Sequence, residues 1–95
     1  MYTLKILTPE AVVLEEESVS IIAPGDVGYL EILTNHAPII TTLVAGNVIV
    51  THKNKEKSLY RITGGFLEVH ANKVHLLADE IEIVAEKYTE RRGVI

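Results

Sequence analysis

The side chains that could do chemistry in this chain are four histidines and thirteen carboxylates, with no cysteine. His70 and His75 flank Ala71-Asn72, a dipeptide that can close a two-residue hairpin loop. In that register Glu68 lies opposite His75, which assembles the two-histidine, one-carboxylate set of a metal site. His70 then lies opposite Lys73, an unfavourable neighbour for a divalent cation. An ordinary hairpin face is therefore the favoured interpretation, and a small metalloenzyme the weaker one.

His36 has a different setting, because it lies in a polar segment, Thr34–Pro38, between two apolar runs. Its imidazole can bond to neighbouring carbonyl groups and fix the loop, or it can contact a partner protein, and both interpretations stay open. His52 adjoins a charged loop and is expected to be exposed, while Asp79-Glu80 is expected to be solvated at a strand end. In sequence, His36 has no serine, cysteine or paired carboxylate near it that would complete a catalytic set. Nucleophile-elbow, phosphate-loop, dinucleotide and zinc-protease motifs are also absent, so neither an enzyme nor a cofactor is expected.

Length and charge restrict the classes of protein and of partner that remain possible for this chain. With 95 residues, 47% of them hydrophobic, the chain can form one domain with an ordinary core. The formal net charge of −4 disfavours nucleic-acid and anionic-lipid partners. Met1–Leu7 lacks the apolar centre of a secretory signal. Ile32–His52 carries no Asp, Glu, Lys or Arg and could span a bilayer by length. Its internal Asn, His, Pro and Gly instead predict two or three strands with a buried or docked face.

Short alternating runs bounded by turn residues predict strands along the N-terminal half. Val12–Glu15 and Val19–Ala23 are predicted as separate strands, with the acidic triple Glu15–Glu17 at a solvated hairpin end. Farther on, Ala45-Gly46 separates two apolar runs that begin at Ile39 and Asn47. That spacing predicts a second hairpin.

Glycines and the C-terminus complete the pattern. Gly28 supplies positive φ after a Pro-Gly-Asp turn, and Gly64-Gly65 predicts a bulge, a corner or a close backbone approach. Ala85–Arg92 contains moderate helix formers and is followed by Gly93, which allows at most a short helical turn. About nine short strands with almost no helix indicate an all-β sandwich or barrel. We expect the sandwich to span residues 1–84 and a tail or remnant helix to span residues 85–95.

Three blocks of sequence together resemble one known family. They are G-Y-L-E-I-L-x-x-H-A-P from Gly28, G-G-F-L-E-V from Gly64, and N-K-V-x-L-L-A-D from Asn72. In this order and spacing they resemble the epsilon subunit of F-type ATP synthase, whose mitochondrial counterpart is called delta. The likeness runs from about Leu4 to Glu80.

The resemblance implies a flattened β-sandwich of about ten strands, consistent with the pattern of short strands. It also implies a non-catalytic subunit of the central stalk that binds the gamma subunit, rests on the ring of c subunits and turns with the rotor. Such a complex couples proton or sodium-ion flow to ATP synthesis. The expected location is peripheral, on the cytoplasmic face of the bacterial inner membrane or an equivalent energy-coupling membrane. A generic β-sandwich interaction module is the alternative.

The resemblance also assigns contact residues. The family pattern has a carboxylate where this chain has Tyr29, so a carboxylate contact to the ring is not secured there; Glu31, expected to point to the same side, could supply it. The implied contacts with the c-ring are Tyr29, Leu30, Glu31, Thr34 and Asn35. The implied contacts with gamma are His36, Ala37, Pro38, Ile39 and Ile40. The implied structural residues are Gly28, Gly64 and Gly65.

Length is the larger departure from the family. Many members carry a C-terminal pair of helices that inhibits ATP hydrolysis, and some bind ATP there. This chain stops at Ile95, and an isolated helix as short as Ala85–Arg92 is marginal in water. We therefore expect neither an autoinhibitory helical hairpin nor nucleotide binding in this chain, whether it is a natural short form or a truncation.

Overall fold

Strands account for most of residues 1–89, the part of the chain that the computed structural model describes, and this part contains no helix. Alternation of buried and exposed positions is clearest in the strands whose sequence alternates apolar and polar residues. The nine strands of the described residues are β1 (Tyr2–Leu7), β2 (Val12–Gly25), β3 (Gly28–Ile32), β4 (Ile39–Leu43), β5 (Gly46–His52), β6 (Lys57–Ile62), β7 (Gly65–His70), β8 (Lys73–Ala78) and β9 (Ile81–Ala85).

Two layers share the long strand β2. In the first sheet the strand order is β4-β7-β8-β1-β2, in which β1 and β8 run parallel and the other pairs run antiparallel. In the second sheet the later part of β2 lies between β3 and β5, and β6 and β9 follow. One pair, Gly25 opposite Leu43, joins β2 to β4 and closes a corner between the layers.

The core lies between the two sheets. In β7, for example, Leu67 and Val69 are buried while Phe66 and Glu68 are exposed, so a single strand divides cleanly between core and outer face. The buried apolar side chains form one cluster of Tyr2, Leu4, Ile6, Ile21, Ala23, Ile32, Leu43, Val48, Val50, Tyr60, Ile62, Leu67, Val69, Val74, Leu76 and Ala78.

The hairpin predicted around Ala71-Asn72 is confirmed. Both loop residues have positive φ, 50° and 59°, as a two-residue turn of this hand requires. Leu67 pairs with Leu76, and Glu68 pairs with His75, in the predicted register.

The prediction of two strands separated by an acidic hairpin end is wrong. Glu15, Glu16 and Glu17 lie within the single strand β2 and pair with Lys5, Leu4 and Thr3 of β1. Alternation continues through the triple, so Glu15 and Glu17 are exposed while Glu16 is partly buried. Because two of the three carboxylates reach water from an extended chain, the sequence needs no turn at this point.

The predicted hairpin at Ala45-Gly46 is also wrong. β4 pairs with β7 in the first sheet, whereas β5 pairs with β2 and β6 in the second. Neither Ala45 nor Gly46 has the positive φ of a two-residue hairpin turn. The Val44 N–H instead donates to the Pro24 carbonyl at 2.8 Å, and the chain crosses from one layer to the other.

The predicted helical turn over Ala85–Arg92 is not found in its described part. Ala85 is the last residue of β9, and residues 86–89 are not helical. The remainder of that prediction lies outside the described residues.

Candidate docking surface

The polar segment after β3 lies at one end of the sandwich, beside the N-terminus and the β7–β8 turn. The Asn72 side chain connects these parts: its Nδ2 donates to the Met1 carbonyl at 2.8 Å, and its Oδ1 accepts from the Asn35 N–H at 3.1 Å. The Met1 ammonium donates to Thr34 Oγ1 at 2.9 Å. We call Met1, Thr34, Asn35 and Asn72 the amide end. Thr34 and Asn35, both predicted ring contacts, are exposed. These hydrogen bonds nevertheless hold both residues in a defined position.

A buried tyrosine anchors the base of the same segment. The Tyr2 hydroxyl donates to the carbonyl of Ile32, the last residue of β3, at 2.7 Å. Tyr2 is 1% exposed, and this burial raises the pKa of its phenol well above the usual range. The hydroxyl consequently keeps its proton at physiological pH and remains a donor.

The predicted ring contacts in β3 divide between two faces. Tyr29 and Glu31 are exposed on the same side of the strand, as expected, and Tyr29 is 60% exposed. The Tyr29 hydroxyl accepts the Asn47 N–H at 3.1 Å, and Glu31 Oε2 accepts from Ser20 Oγ at 2.8 Å. Leu30 is half-buried and packs against the core, so it supports the strand from within.

The predicted gamma contacts also differ in direction. His36 Nδ1 donates to the Ala37 carbonyl at 2.7 Å, so the expected bond from the imidazole to a neighbouring carbonyl is present. Ala37 and Pro38 are exposed. Ile39 packs against the core, whereas Ile40 is 73% exposed on the outer face of the first sheet. Of the two isoleucines, only Ile40 presents its side chain outward.

An apolar row on the outer face of the first sheet was missed by sequence reasoning. The strand registers place five outward-facing residues side by side across β4, β7, β8, β1 and β2. Monomeric proteins seldom expose contiguous apolar surface without a use for it. All but Thr42 are apolar, and Leu7 is half-buried. We call these residues the apolar row: Thr42, Phe66 (55% exposed), Leu77 (45% exposed), Leu7 and Val12 (51% exposed).

The sequence did contain a signal for this row. The hairpin register set by Ala71-Asn72 puts Phe66 opposite Leu77, and Glu68 on the same strand face marks that face as outward. The next row on the same face is mostly polar or charged, which limits the apolar surface to one end. That row consists of Ile40, Glu68, His75, Lys5 and Glu15.

A hydrogen-bonded cluster around His52 was also missed, and the prediction that His52 is exposed is wrong. Its side chain is 21% exposed, with Nδ1 2.5 Å from Glu16 Oε2 and Nε2 2.6 Å from Ser58 Oγ. Ser18 Oγ donates to the same Glu16 oxygen at 2.7 Å. Beside this cluster, burial raises the pKa of the Tyr60 phenol, and the nearby carboxylates of Glu16 and Glu86 raise it further.

Hydrogen bonds connect Glu16, His52 and Ser58 in the same order as the acid, base and nucleophile of a hydrolase triad. Their geometry nevertheless indicates a structural role. Ser58 is 5% exposed and its hydroxyl lies 2.7 Å from the Glu86 carbonyl, to which it can donate. The adjacent groove is lined by His52 and Glu16 and does not include Ser58. A nucleophile must reach its substrate, and this hydroxyl is covered.

The metal site considered around His75 does not assemble. Glu68 Oε1 lies 3.9 Å from His75 Nδ1, and His70 pairs with Lys73. Within residues 1–89 no group of three or more His, Asp or Glu side chains is placed to hold a metal ion.

Comparison with protein families places the fold. Residues 1–84 match the model of the family described as "ATP synthase, Delta/Epsilon chain, beta-sandwich domain". The chain belongs to this family. Both the family suggested by the three sequence blocks and the all-β sandwich are confirmed.

Curated relatives carry the name ATP synthase epsilon chain. The protein of Moorella thermoacetica is 47% identical over 79 residues, which cover 83% of this chain and 59% of the relative. That of Protochlamydia amoebophila is 41% identical over 91 residues, covering 96% of this chain and 62% of the relative. This chain thus spans about three fifths of the length of these two relatives. It spans 91% of the relative from Chlorobaculum tepidum, at 38% identity over 80 residues and 84% of this chain.

Solved structures show the same fold at lower sequence identity. A chain from the Euglena gracilis mitochondrial ATP synthase, a structure of OSCP, F1 and c-ring, matches with a TM-score of 0.80 and 23% identity over 84% of this chain and 51% of that one. A chain from the central stalk and c-ring of the Tetrahymena thermophila mitochondrial ATP synthase matches with a TM-score of 0.74 and 21% identity over 84% and 64%. At these identities the likeness is one of fold.

Among residues 1–89 there is no helix with the length and apolar character needed to cross a membrane.

Proposed function

We propose that this chain is a non-catalytic central-stalk subunit of an F-type ATP synthase. In this role it docks the gamma subunit onto the c-ring and transmits the rotation that couples ion flow to ATP synthesis. Membership of the delta/epsilon family supports the assignment to the complex. The observation that carries the docking role is the apolar row, an exposed strip of side chains on an otherwise well-packed sandwich.

The two outer faces can serve two partners at once. We assign gamma to the first sheet, where the apolar row and Ile40 supply an apolar contact area with charged residues beside it, as in typical interfaces. We assign the ring to Tyr29 and Glu31 on β3 of the second sheet, together with the polar segment that includes Thr34-Asn35. Because these residues are on different parts of the surface, binding one partner leaves the other site accessible.

The proposed location and boundaries follow from the same assignment. The chain would be peripheral to the membrane, held at the cytoplasmic face of the bacterial inner membrane through the complex. We propose residues 1–84 as the docking domain, matching the extent of the family model, and residues 85–95 as its tail. Neither nucleotide nor nucleic acid has a part in this function.

The test is co-purification with a gamma subunit, using matched surface variants. Phe66→Asp places a charge in the apolar row, whereas Ile83→Asp places the same charge on β9 of the second sheet, at 54% rather than 55% exposure. Because burying an uncompensated charge opposes docking, we expect Phe66→Asp to weaken gamma binding at least about tenfold, or about 1.4 kcal/mol. Ile83→Asp should bind like the unaltered chain, and both variants should keep their melting temperature to within a few degrees.

Failure has a clear form. If the unaltered chain forms no complex with gamma, the rotor assignment is wrong and a generic interaction module becomes the better explanation. If gamma binds both variants equally well, the docking face is not the apolar row.

A further inference from the structure

The residues that follow β9 are hydrogen-bonded to β6. Ser58 Oγ lies 2.7 Å from the Glu86 carbonyl, and the Tyr88 N–H donates to the Lys57 carbonyl at 2.8 Å. Lys87 Nζ adds an exposed ion pair with Glu56 at 3.6 Å. An exposed pair of this kind contributes little, so the two hydrogen bonds carry most of the attachment. We call residues 86–88 the exit segment.

Behind the exit segment, the hydrogens of the His52 cluster can be counted. The Glu86 carbonyl only accepts hydrogen bonds, so the single Ser58 hydrogen must point at it to make that bond. His52 Nε2 must then carry a hydrogen of its own to donate to Ser58 Oγ. Glu16 already accepts from Ser18, and as a carboxylate it can only accept from His52 Nδ1 as well. The complete set of bonds therefore requires hydrogen on both ring nitrogens, which is the imidazolium form.

Neutral His52 cannot complete this set. When Nδ1 keeps its hydrogen for Glu16, Nε2 becomes a bare acceptor. The Ser58 hydrogen can then turn to Nε2 or stay on the Glu86 carbonyl, but it cannot serve both. Whichever contact loses the hydrogen brings two lone pairs together at 2.6 or 2.7 Å, which is unfavourable in a partly buried site.

We propose that His52 is a proton-dependent latch: its imidazolium form holds the exit segment against β6 through Ser58, and loss of one proton releases that hold. The inference stands apart from the proposed function, since it needs only the bonds within this chain. It sets how firmly the chain beyond β9 is attached to the sandwich.

Charged side chains surround His52 on the groove side. Four carboxylates and two ammonium groups line the groove beside it. The carboxylates outnumber the cations, and the nearest of them, Glu16, is in direct contact with the ring. The groups that line the groove are Glu16 and Glu17 from β2, Lys53 and Glu56 from the β5–β6 loop, and Glu86 and Lys87 from the exit segment, and the Tyr60 phenol of β6 lies beside them.

Hydrogen exchange at the Tyr88 amide measures the latch directly, because this amide donates to β6 next to Ser58. Histidine side chains ordinarily change charge between about pH 5 and 8. After correction for the pH dependence of intrinsic exchange, we expect Tyr88 protection in the full chain to fall at least about fivefold between pH 5.5 and 8, which is about 1 kcal/mol. Amides in the interior of β7 and β8 should not change.

Two variants decide whether His52 acts through Ser58. Ser58→Ala removes the relay with little change in size, and should leave Tyr88 weakly protected at both pH values. His70→Gln removes an exposed histidine on β7, in the other sheet, and should keep the full pH dependence. The proposal is overturned if Tyr88 protection is flat with pH in the unaltered chain. It is equally overturned if Ser58→Ala retains the same pH dependence.

Discussion

The two ends of the β7–β8 hairpin are closed by opposite means. At the open end, which we call the glycine end, Gly64 and Gly65 are buried, and the Asp79 N–H donates to the Gly64 carbonyl at 2.9 Å. A Cβ atom at Gly65 would overlap the Leu77 carbonyl. At the turn, the amide end is held by the exposed side chain of Asn72.

The difference separates what builds the fold from what presents a surface. Backbone in direct contact with backbone leaves no volume for a side chain, and the neighbouring carbonyl cannot move without breaking the β7–β8 pairing. Exposed hydrogen bonds, in contrast, are exchanged for bonds to water at small net cost. We therefore expect the glycine end to control stability, and the amide end to control the position of Thr34-Asn35.

The largest effect is expected at the glycine end. Gly65→Ala adds a methyl group against the Leu77 carbonyl at a φ of 152°, and we expect it to lower the free energy of unfolding by about 4 kcal/mol or more. Gly28→Ala is the matched control, since Gly28 also has positive φ, 131°, but has open space around it. It should cost only about 1–2 kcal/mol of backbone strain. Urea unfolding of both variants makes the comparison, and similar losses would show that φ rather than contact dominates.

An intermediate effect is expected at Tyr2, the buried anchor beneath the amide end. Tyr2→Phe leaves the Ile32 carbonyl without its donor and should cost about 1–2 kcal/mol at pH 7.

Unfolding measurements at alkaline pH test the role of Tyr2 more specifically. Burial raises the pKa of Tyr2 in the folded chain, so the unfolded chain loses its phenolic proton first, near its usual pKa of about 10. The folded state keeps its advantage below pH 10 and loses it as the pH rises further. Unfolding measured at pH 7, 9.5 and 11 should show a shallower decline for Tyr2→Phe, with part of the slope remaining because the pKa of Tyr60 is also raised. Parallel curves would contradict this.

The smallest effect on stability is expected at Asn72 itself. Its φ of 59° suits glycine, so Asn72→Gly removes both side-chain bonds without backbone strain and should change stability by less than about 1 kcal/mol. Exchange of the Asn35 amide should nevertheless accelerate several-fold. Asn72→Asp keeps the oxygen that accepts from Asn35 and should preserve that protection. If Asn72→Gly leaves Asn35 protected, the clamp is not what holds the segment.

The local sequence was sufficient to predict strand pairing where the turn residues were specific for a tight hairpin. Ala71-Asn72 fixed both the existence and the register of the β7–β8 hairpin, and thereby the position of Phe66 opposite Leu77. At Ala45-Gly46 a similar spacing led to a wrong hairpin, because nothing local distinguishes a tight turn from a crossing between sheets. The prediction of a hairpin end at the acidic triple failed for a related reason. Its charges indicated exposure to solvent, and an extended strand exposes side chains as well as a turn does.

Contacts that depend on distant pairing could not be predicted. His52 contacts Glu16, 36 positions away in sequence, because β5 pairs with β2. Nothing in the sequence around His52 therefore indicates that its side chain is partly buried. The direction of Ile39 and Ile40 likewise depended on which face of β4 meets the core. The family, in contrast, could be recognised from three short blocks, because their order and spacing are specific in combination.

The sharing of β2 between the two layers has a mechanical consequence. Sheets joined only by side-chain packing can slide over one another under a sideways force. Here a single 14-residue strand pairs with β1 in one layer and with β3 and β5 in the other. A twist applied to one face must therefore bend a continuous covalent backbone before it can shear the core, so the opposite face follows as part of the same solid body.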